Sequence, residues 1–324
     1  MAKRVSVIVP SYNHASYIKP CLESILAQDY NDTEIIVVDD CSSDDSVKIA
    51  QSIDDPRIQV RKNSKNLGTY ATQNRAMDLA SGDYVAVLNS DDLWKPAKLR
   101  KQIELLEKNP DAKFCYTLGD QIDEQGNPLK VDQHLNWPKT WRHDLLPFLL
   151  SSNRLLASSV VFRKGDVRFE ESLRYSGDWW AWVHLAQEGD ALCVPEPLVS
   201  WRQHPSNSYT RSAPVTLEEI RVRRAILAGK KRWLTARPKD LPAIKKGLSD
   251  CAIDLSALYV LVGQMRLAMA AASLAMTLFP SNSVAQRRFA LSIMPGSMAR
   301  KRLWRSERVA ISREDLQSLA PLEV

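Results

Sequence analysis

The chain has 324 residues, a formal net charge of +6, and 44% hydrophobic and 25% charged residues, which is an ordinary globular composition. This composition excludes an intrinsically disordered tail and a collagen-like fibre, and the length indicates about two domains. The five cysteines are scattered and form no Cys-x-x-Cys pair. We therefore expect neither a disulfide framework nor a zinc site, and a reducing compartment fits best.

The charge is divided unevenly along the chain. Residues 1–217 hold 25 Lys/Arg against 29 Asp/Glu, a net −4, whereas residues 218–324 hold 19 against 9, a net +10. A division this sharp indicates two parts that meet different partners. The first apolar run is too short for a signal peptide, and the longest, residues 267–280, is shorter than the roughly 20 residues of a membrane-spanning helix. We therefore expect a cytoplasmic protein without a transmembrane helix.

The first part of the chain alternates between apolar strands and amphipathic helices. The pattern predicts strands at residues 4–9, 34–38, 57–61 and 84–88, and helices at 16–28, 44–52 and 69–80. Ser42 or Ser43 is the expected N-cap of the second helix, and Gly82 the expected C-cap of the third. Apolar strands in this order indicate an α/β fold with a parallel sheet covered on both faces, and ligands bind at the carboxyl ends of such strands.

Polar clusters follow three of these strands, at residues 10–13, 39–40 and 89–92, and we expect them to share one crevice. In the last cluster, the adjacent carboxylates of Asp91 and Asp92 repel each other unless a cation lies nearby. Hard oxygen ligands suit Mg²⁺ or Mn²⁺. The alternative is an acidic cap on a helix at 95–108, although Asp39 and Asp40 bring the number of carboxylates beyond what capping needs.

The remainder of the chain changes character near residue 214. Residues 110–205 are less regular, with short strands predicted at 158–162 and 192–195 and a helix at 176–188 for which Ser176 is a possible N-cap. From about residue 214 to residue 291 the pattern is helical throughout.

Three segments carry a resemblance to a known family: VSVIVPSYNHASYIKPCLESILAQDY, EIIVVDDCSSDDS and QNRAMDLASGDYVAVLNSDDLWKPAKL. Their order and spacing resemble family 2 of the glycosyltransferases over roughly residues 3–210. The resemblance implies the GT-A fold, a Rossmann-like, mostly parallel sheet with helices on both faces, followed here by an all-helical C-terminal domain. The implied domains are 1–213, with a nucleotide-sugar half at about 1–110 and an acceptor half at about 111–213, and 214–324.

The resemblance implies an inverting, metal-dependent transfer of a sugar from an NDP-sugar, with UDP the expected nucleotide, to a hydroxyl of a glycan acceptor. The expected setting is the synthesis of a surface polysaccharide or a lipid-linked oligosaccharide, with Mn²⁺ or Mg²⁺ as cofactor. A carboxylate can accept the imide N–H of a pyrimidine, and an aromatic ring offers the base a stacking face. By motif position, the residues implied to bind the nucleotide-sugar are Pro10, Ser11, Tyr12, Asn13, Asp39, Asp40, Gly68, Asn74, Asn89, Ser90 and Arg202.

The same resemblance assigns the chemistry. Asp91 and His204 are implied to bind the metal ion, and Asp178 falls at the position of the catalytic base that deprotonates the acceptor hydroxyl. Without the resemblance, Asp178 reads as one more acid at a helix start. Trp179 is a candidate platform for the acceptor sugar, with core packing as the alternative.

Three positions depart from the family pattern. Asn89 stands where the family has Asp, Gln73 where it often has Arg, and Gly177 where it often has Glu. These departures leave open a catalytically degenerate sugar-nucleotide-binding or scaffold protein that uses its helical part to recruit partners. Nucleotidyl transfer on a related sheet is less well supported, because that chemistry would usually show a glycine-rich phosphate loop after the first strand.

The helical C-terminal part shows two further patterns. Small residues and Pro280 recur between residues 252 and 282 at the spacing of one tetratricopeptide-type helical hairpin. Residues 287–313 mix Lys and Arg with Leu, Ile, Met and Trp, which is typical of a segment on an anionic membrane surface, such as the inner face of the plasma membrane. A solvated basic helix is the alternative, and no nucleic-acid-binding motif accompanies the charge.

Overall fold

The computed structural model describes residues 4–129, 140–205, 207, 213–228 and 237–306. The chain groups into two compact units. The first, called here the sheet unit, comprises Met1–Leu149 and Asn153–Asn207, and the second, the helical unit, comprises Leu150–Ser152 and Ser208–Val324. The domain limits 1–213 and 214–324 stay a prediction, because grouping in space does not establish that either part folds alone.

One sheet runs through the described part of the sheet unit. Its strands are β1 (Val5–Ser11), β2 (Thr33–Asp39), β3 (Ile58–Lys62), β4 (Tyr84–Val87), β5 (Leu93–Trp94), β6 (Phe114–Ile122), β7 (Pro128–Leu129), β8 (Arg142–His143), β9 (Val161–Arg163) and β10 (Ala191–Arg202). Their order across the sheet is β3-β2-β1-β4-β9-β6-β10-β5, with β7 beside β6 and β8 beside β10.

The first four strands are parallel, as their apolar runs predicted. The second half of the sheet is mixed, because β6 and β10 run parallel while β9 lies antiparallel between β4 and β6. The strand predicted at 158–162 is a 3₁₀ turn at Ala157–Ser159 followed by β9. The strand predicted at 192–195 is the start of the much longer β10.

The predicted helices of the sheet unit are confirmed, with small differences at their ends. The helices up to residue 207 are α1 (Ile18–Leu26), α2 (Ser46–Gln51), α3 (Thr69–Leu79), α4 (Lys98–Lys108), α5 (Leu146–Ser151) and α6 (Gly177–Glu188). Two predicted caps are wrong, since Asp45 holds the N-cap position of α2 and α3 ends before an extended Ala80. Gly82 instead allows a close approach, because a Cβ there would lie 2.6 Å from the carbonyl oxygen of Arg4.

Both faces of the sheet are covered, and the predicted polar clusters lie at the ends of the strands. All seven residues of β1 are buried. One face packs against apolar residues of α1 and α4, and α3 packs on β1 and β2. In the parallel register, Ser11 at the end of β1 lies opposite Asp39 at the end of β2. The carboxyl ends of β1 and β2 therefore form one edge, as predicted.

The described part of the helical unit contains a hairpin of antiparallel helices. Its helices are α7 (Ala213–Leu227), α8 (Leu241–Leu261), α9 (Met265–Leu278), α10 (Ser283–Ser292) and α11 (Gly296–Ser306). Ser256 Oγ donates to the carbonyl oxygen of Ala268 (2.9 Å) and Ser249 Oγ to that of Ala275 (3.3 Å). Because the acceptor advances as the donor retreats, α8 and α9 run in opposite directions. Among the helices that are described, none is long and apolar enough to cross a bilayer.

Candidate functional site

The loops that follow β1 and β2 are joined by hydrogen bonds between side chains and backbone. The N–H of Asn13 donates to Ser42 Oγ (2.8 Å), and the N–H of Ser43 donates to Asn13 Oδ1 (2.9 Å). The N–H of His14 donates to Ser46 Oγ (2.9 Å). Asn13 has a φ of 53°, in the left-handed region that Asn adopts more readily than most residues. The serine-rich segment after β2 therefore fixes the turn that carries His14.

His14, Asp91 and His204 come together, with one donor atom from each lying within 4.8 Å of the other two. His204 Nε2 lies 3.0 Å from Asp91 Oδ2, and His14 Nδ1 lies 2.7 Å from Ser90 Oγ. Two imidazoles and a carboxylate are a donor set that fits a divalent ion such as Mn²⁺. The structure thus brings together the two predicted metal residues, Asp91 and His204, and adds His14, which the sequence did not single out.

The surroundings of His14 favour its neutral form. Burial lowers the pKa of His14, the carboxylate of Asp91 acts in the opposite direction, and the nearby His204 lowers the pKa further. A neutral imidazole is the form that binds a metal ion. The ring of Tyr17 stacks on that of His204, with centroids 4.9 Å apart and an interplanar angle of 25°, and so restricts its rotation.

Arg202 fixes the backbone around Asp91. Its Nε donates to the carbonyl oxygen of Asp91 (2.8 Å), and one terminal nitrogen donates to the carbonyls of Asp123 (3.1 Å) and Glu124 (2.9 Å). The residue is only 4% exposed. These bonds join Nε and one terminal nitrogen of the guanidinium to backbone carbonyls. The structure places Arg202 as a support for the backbone of Asp91, and its diphosphate contact stays a prediction.

Asp92 also supports this region from a buried position. Its Oδ1 accepts the N–H of Arg202 (3.0 Å), and its Oδ2 accepts the hydroxyl of Ser158 (2.5 Å). Burial, followed by the charge of Asp91, raises the pKa of Asp92. The alternative of an acidic helix cap is wrong, because α4 begins at Lys98 with Ala97 in the N-cap position. Asn89, predicted to bind the nucleotide-sugar, belongs to the same network, since its backbone N–H donates to Ser158 Oγ (3.1 Å).

The predicted nucleotide residues at the ends of β1 and β2 differ in exposure. Tyr12 is 48% exposed, whereas Pro10 and Ser11 are buried within β1. Asp39 is buried, and its carboxylate accepts the N–H (2.8 Å) and the hydroxyl (2.5 Å) of Ser42. Tyr12 therefore provides the most accessible ligand surface at this end of the sheet among these four predicted residues.

Asp40 and Gly68 together build the turn that leads into α3. The carboxylate of Asp40 accepts the backbone N–H groups of Leu67 and Gly68 (both 2.8 Å) and the side-chain amide of Asn63 (2.8 Å). Gly68 has a φ of 89°, which a residue with a Cβ adopts only with strain, and it occupies the N-cap position of α3. The two residues thus shape the loop beside the strand ends.

Two predicted site residues hold the structure together instead of facing a ligand. Asn74 donates to the carbonyl oxygen of Phe169 (2.9 Å) and to Glu171 Oε1 (2.7 Å), and its own Oδ1 accepts the N–H of Phe169 (3.0 Å). Trp179 has no exposed surface, and its Nε1 donates to the carbonyl of Leu149 (2.8 Å). The prediction that Trp179 is an acceptor platform is wrong, because a fully buried ring has no face for a sugar.

Asp178 occupies the first turn of α6. Its Oδ1 accepts the hydroxyl of Tyr70 (3.2 Å) and the N–H of Trp179 (2.7 Å). Ser176 stands at the N-cap position without capping the helix through its side chain. A half-buried carboxylate at a helix N-terminus, held by a hydroxyl donor, is a suitable proton acceptor once a substrate hydroxyl approaches.

Comparisons with known proteins place the chain. The profile described as Glycosyl transferase family 2 matches residues 6–176. A protein of Bacillus subtilis named for teichuronic acid biosynthesis, the glycosyltransferase TuaG, is 39% identical over 205 residues, covering 61% of this chain and 78% of that protein. An uncharacterized glycosyltransferase of Rickettsia typhi is 34% identical over 221 residues, covering 66% and 68%. The chondroitin synthase of Escherichia coli is 29% identical over 187 residues, covering 57% and 27%.

Solved structures of S. aureus TarS resemble the fold. This chain matches TarS with a TM-score of 0.63 at 17% identity and spans 54% of that chain. It matches TarS 1-349 in complex with UDP-GlcNAc with a TM-score of 0.55 at 18% identity, covering 89% of this chain and 90% of that one. The likeness confirms the predicted GT-A fold with a helical C-terminal region. Because the family profile matches more than half of the chain, the chain belongs to glycosyl transferase family 2.

Proposed function

We propose that this chain is a metal-dependent, inverting glycosyltransferase that moves a sugar from a UDP-sugar to a hydroxyl of a glycan acceptor. The observation that carries the proposal is the cluster of His14, Asp91 and His204, together with an exposed Tyr12 in the same loop after β1 as His14. Membership of the family and the UDP-GlcNAc complex of TarS support the donor class.

The donor side of the mechanism rests on this cluster. His14, Asp91 and His204 would hold Mn²⁺ or Mg²⁺, and Arg202 keeps the backbone of Asp91 in place for that role. These residues would hold the cation where it would stabilise the negative charge that grows on the departing diphosphate. Tyr12 would stack on the nucleobase, since its ring is exposed at the end of β1.

The acceptor side rests on Asp178. Its carboxylate would take the proton of the acceptor hydroxyl while that oxygen attacks the anomeric carbon opposite the leaving UDP. One displacement of this kind inverts the anomeric centre and needs no covalent intermediate on the protein. The base needs a fixed orientation, and Tyr70 and the N–H of Trp179 supply it at Oδ1.

The proposed acceptor is a growing surface glycan or a lipid-linked oligosaccharide. The names of two relatives, for teichuronic acid biosynthesis and for chondroitin synthesis, support a polymeric acceptor. We also propose that the helical unit meets an anionic membrane surface. Ile293 (64% exposed) and Met298 (53% exposed) lie near the exposed Arg300 and Arg302 in sequence, whereas Leu303 is buried and belongs to the core.

The function is tested by a panel of nucleotide-sugars with Mn²⁺, including UDP-glucose, UDP-GlcNAc, UDP-glucuronate and GDP-mannose. The proposal predicts nucleotide release from at least one UDP-sugar, and an NMR spectrum of the transferred product that shows the opposite anomeric configuration to the donor. The scaffold alternative predicts no turnover and no heat of UDP binding in the presence of Mn²⁺.

A further inference from the structure

We propose that Tyr70 is a positioning residue for Asp178, and that Gly177 is present because it admits the Tyr70 ring. This inference rests on the proposed function, in which Asp178 is the base. Tyr70 is on the first turn of α3, and its hydroxyl donates to Asp178 Oδ1 at 3.2 Å. The two residues are 108 positions apart in the chain, so the contact joins the nucleotide half of the sheet unit to its acceptor half.

The space occupied by the Tyr70 ring excludes any side chain at position 177. A Cβ built on Gly177 would lie 2.5 Å and 2.6 Å from two ring carbons of Tyr70, and 2.7 Å from the carbonyl oxygen of Glu170. Real Cβ atoms do not come this close to other heavy atoms, so even alanine would displace both the ring and the Glu170 carbonyl. The departure from the family's usual Glu at this position therefore has a physical reason in this chain.

The ring of Tyr70 is also held in place by packing against Phe169. Tyr70 is 8% exposed and stacks on Phe169, with centroids 6.4 Å apart and an interplanar angle of 17°. One turn further along α3, the side-chain amide of Asn74 donates to the carbonyl oxygen of Phe169 and accepts the N–H of Phe169. Residues 70 and 74 lie on the same face of the helix. Two residues of α3 therefore fix the position of Phe169 in the segment before α6.

The consequence concerns the direction of the Asp178 carboxylate. With Oδ1 engaged by the Tyr70 hydroxyl and the N–H of Trp179, rotation of the carboxyl group would break two hydrogen bonds. Fixed orientation of a base matters for rate, since small misplacements of reacting groups can slow catalysis by about 100-fold. Tyr70 thereby acts through Asp178 and need not touch the substrate.

The test compares Tyr70→Phe with wild type, since phenylalanine keeps the ring in its seat beside Gly177 and removes only the hydroxyl. We expect kcat to fall about tenfold, with the donor KM within about twofold and the melting temperature nearly unchanged. A residue with a merely structural role would lower the melting temperature and leave kcat per folded enzyme unchanged. Tyr116→Phe is the matched control, because the hydroxyl of Tyr116 lies 3.0 Å from His143 Nε2, away from Asp178. Tyr116 lies near the start of β6, whereas Trp201 and Arg202 pair with the end of that strand. The kcat of this variant should equal that of wild type.

A double variant tests the role of Gly177. Gly177→Ala should lower kcat by displacing the Tyr70 ring and the Glu170 carbonyl. The losses of Tyr70→Phe and Gly177→Ala should be less than multiplicative in the double variant, because both remove the contact between Tyr70 and Asp178. Multiplicative losses would overturn the coupling. An active wild type whose kcat survives Tyr70→Phe would overturn the positioning role alone, whereas a wild type without turnover on any donor would overturn the proposed function as well.

Discussion

At the scale of single residues, His14 decides whether the candidate cation site is complete. It follows β1, whereas Asp91 and His204 follow β4 and β10. Its backbone is held by Ser46 and its ring by Ser90, so its position is set before any ligand arrives. Preorganised ligands avoid an ordering cost on binding. The affinity for a divalent ion should therefore depend strongly on this side chain.

Substitution of His14 by alanine should lower the affinity for Mn²⁺, measured by calorimetry in the presence of UDP. Loss of an outer partner of a metal site typically costs about 10–100-fold in affinity, so loss of a ligand should cost at least about 100-fold. His184→Ala is the matched control, because His184 lies on α6 beside Glu188 (3.7 Å) and is not in the cluster. If the two variants bind Mn²⁺ with equal affinity, His14 is not a ligand of the metal ion.

Lys98 shows a different residue-scale effect, on stability. It is fully buried, its Nζ lies 3.9 Å from the centroid of the Trp94 ring, and it has no hydrogen-bond partner within the described ranges. Burial lowers the pKa of Lys98 well below its ordinary value. In the unfolded chain, Lys98 takes up a proton as the pH falls below its ordinary pKa of about 10.4. In the folded protein it stays neutral to a lower pH, so protonation in this range favours the unfolded state. The stability of the wild type should therefore decline over that range.

Lys98→Met should raise the free energy of unfolding by about 1–3 kcal/mol at neutral pH, because it removes a buried polar group that lacks a hydrogen bond. The gain should shrink as the pH rises towards about 10.4, where the amine is neutral in both states. Urea unfolding at several pH values measures this difference. Lys108→Met, at an exposed position on the same helix, should change stability by less than about 0.5 kcal/mol. A gain that is constant with pH would refute the ionisation argument.

At the residue scale, the sequence singled out residues that stand in a recognisable motif and missed residues that do not. Asp91 was singled out because it adjoins Asp92 at a strand end. His14 and Tyr70 were not, because neither stands in a motif that indicates metal or base chemistry, and their contacts with Ser90 and Asp178, across 76 and 108 positions, are visible only in the structure. Burial is also invisible in a motif, and this is why Trp179, which has no exposed surface, was expected to face a ligand.

At the scale of elements, small residues set the spacing of α8 and α9. Ala268 and Ala275 have no exposed surface, and each carbonyl accepts a serine hydroxyl from α8. Side chains larger than methyl would separate the helices and break both hydrogen bonds. The hairpin expected at 252–282 from its small residues therefore depends on those residues for close packing.

Ala268→Leu should destabilise the helical unit by about 1–3 kcal/mol, which is typical of overpacking in a tight interface. Ala270→Leu is the matched control, since Ala270 is exposed two residues further along α9 and should tolerate the larger side chain. Thermal unfolding followed by circular dichroism compares the two variants. If both melt together at the wild-type temperature, α8 and α9 are not closely packed at Ala268.

The element predictions worked best for β1 to β4, because a parallel sheet buried on both faces gives continuous apolar runs. They worked less well for β10. Pro195 and Pro197 interrupt its pattern, and proline usually ends a strand. The structure continues the strand through shifts in its register with β6, between Val194 and Pro197 and between Pro197 and Val199. Such irregularities depend on the neighbouring strand and leave no local signal.

At the scale of the whole molecule, the charge division has two consequences. The sheet unit holds 24 Lys/Arg against 29 Asp/Glu, a net −5, and within it Asp91 joins the cation cluster and Asp178 is the proposed base. The net +10 of residues 218–324 belongs to the helical unit. Deleting residues 287–324 would be a poor test of membrane binding, because Ala299 and Leu303 are buried in the core.

Charge reversal tests the membrane proposal without removing core residues. Arg300→Glu/Arg302→Glu should weaken sedimentation with phosphatidylserine vesicles by at least about tenfold, since each basic residue near such a surface contributes about 1 kcal/mol. Binding should also fall as salt rises. Lys245→Glu/Lys246→Glu changes the net charge equally at exposed positions of α8 and should bind as wild type. Equal losses in both double variants would contradict a specific surface near α11.

The central claim is that Asp91 helps to hold a cation and that Asp178 removes the acceptor proton. The most direct test is UDP release coupled to product formation, measured with Mn²⁺, after chelation, and in Asp178→Asn with Mn²⁺. We predict transfer by the wild type with Mn²⁺, loss of transfer on chelation, and a fall in kcat of about 100-fold or more in Asp178→Asn with UDP binding retained. Transfer that survives both chelation and Asp178→Asn would contradict the mechanism.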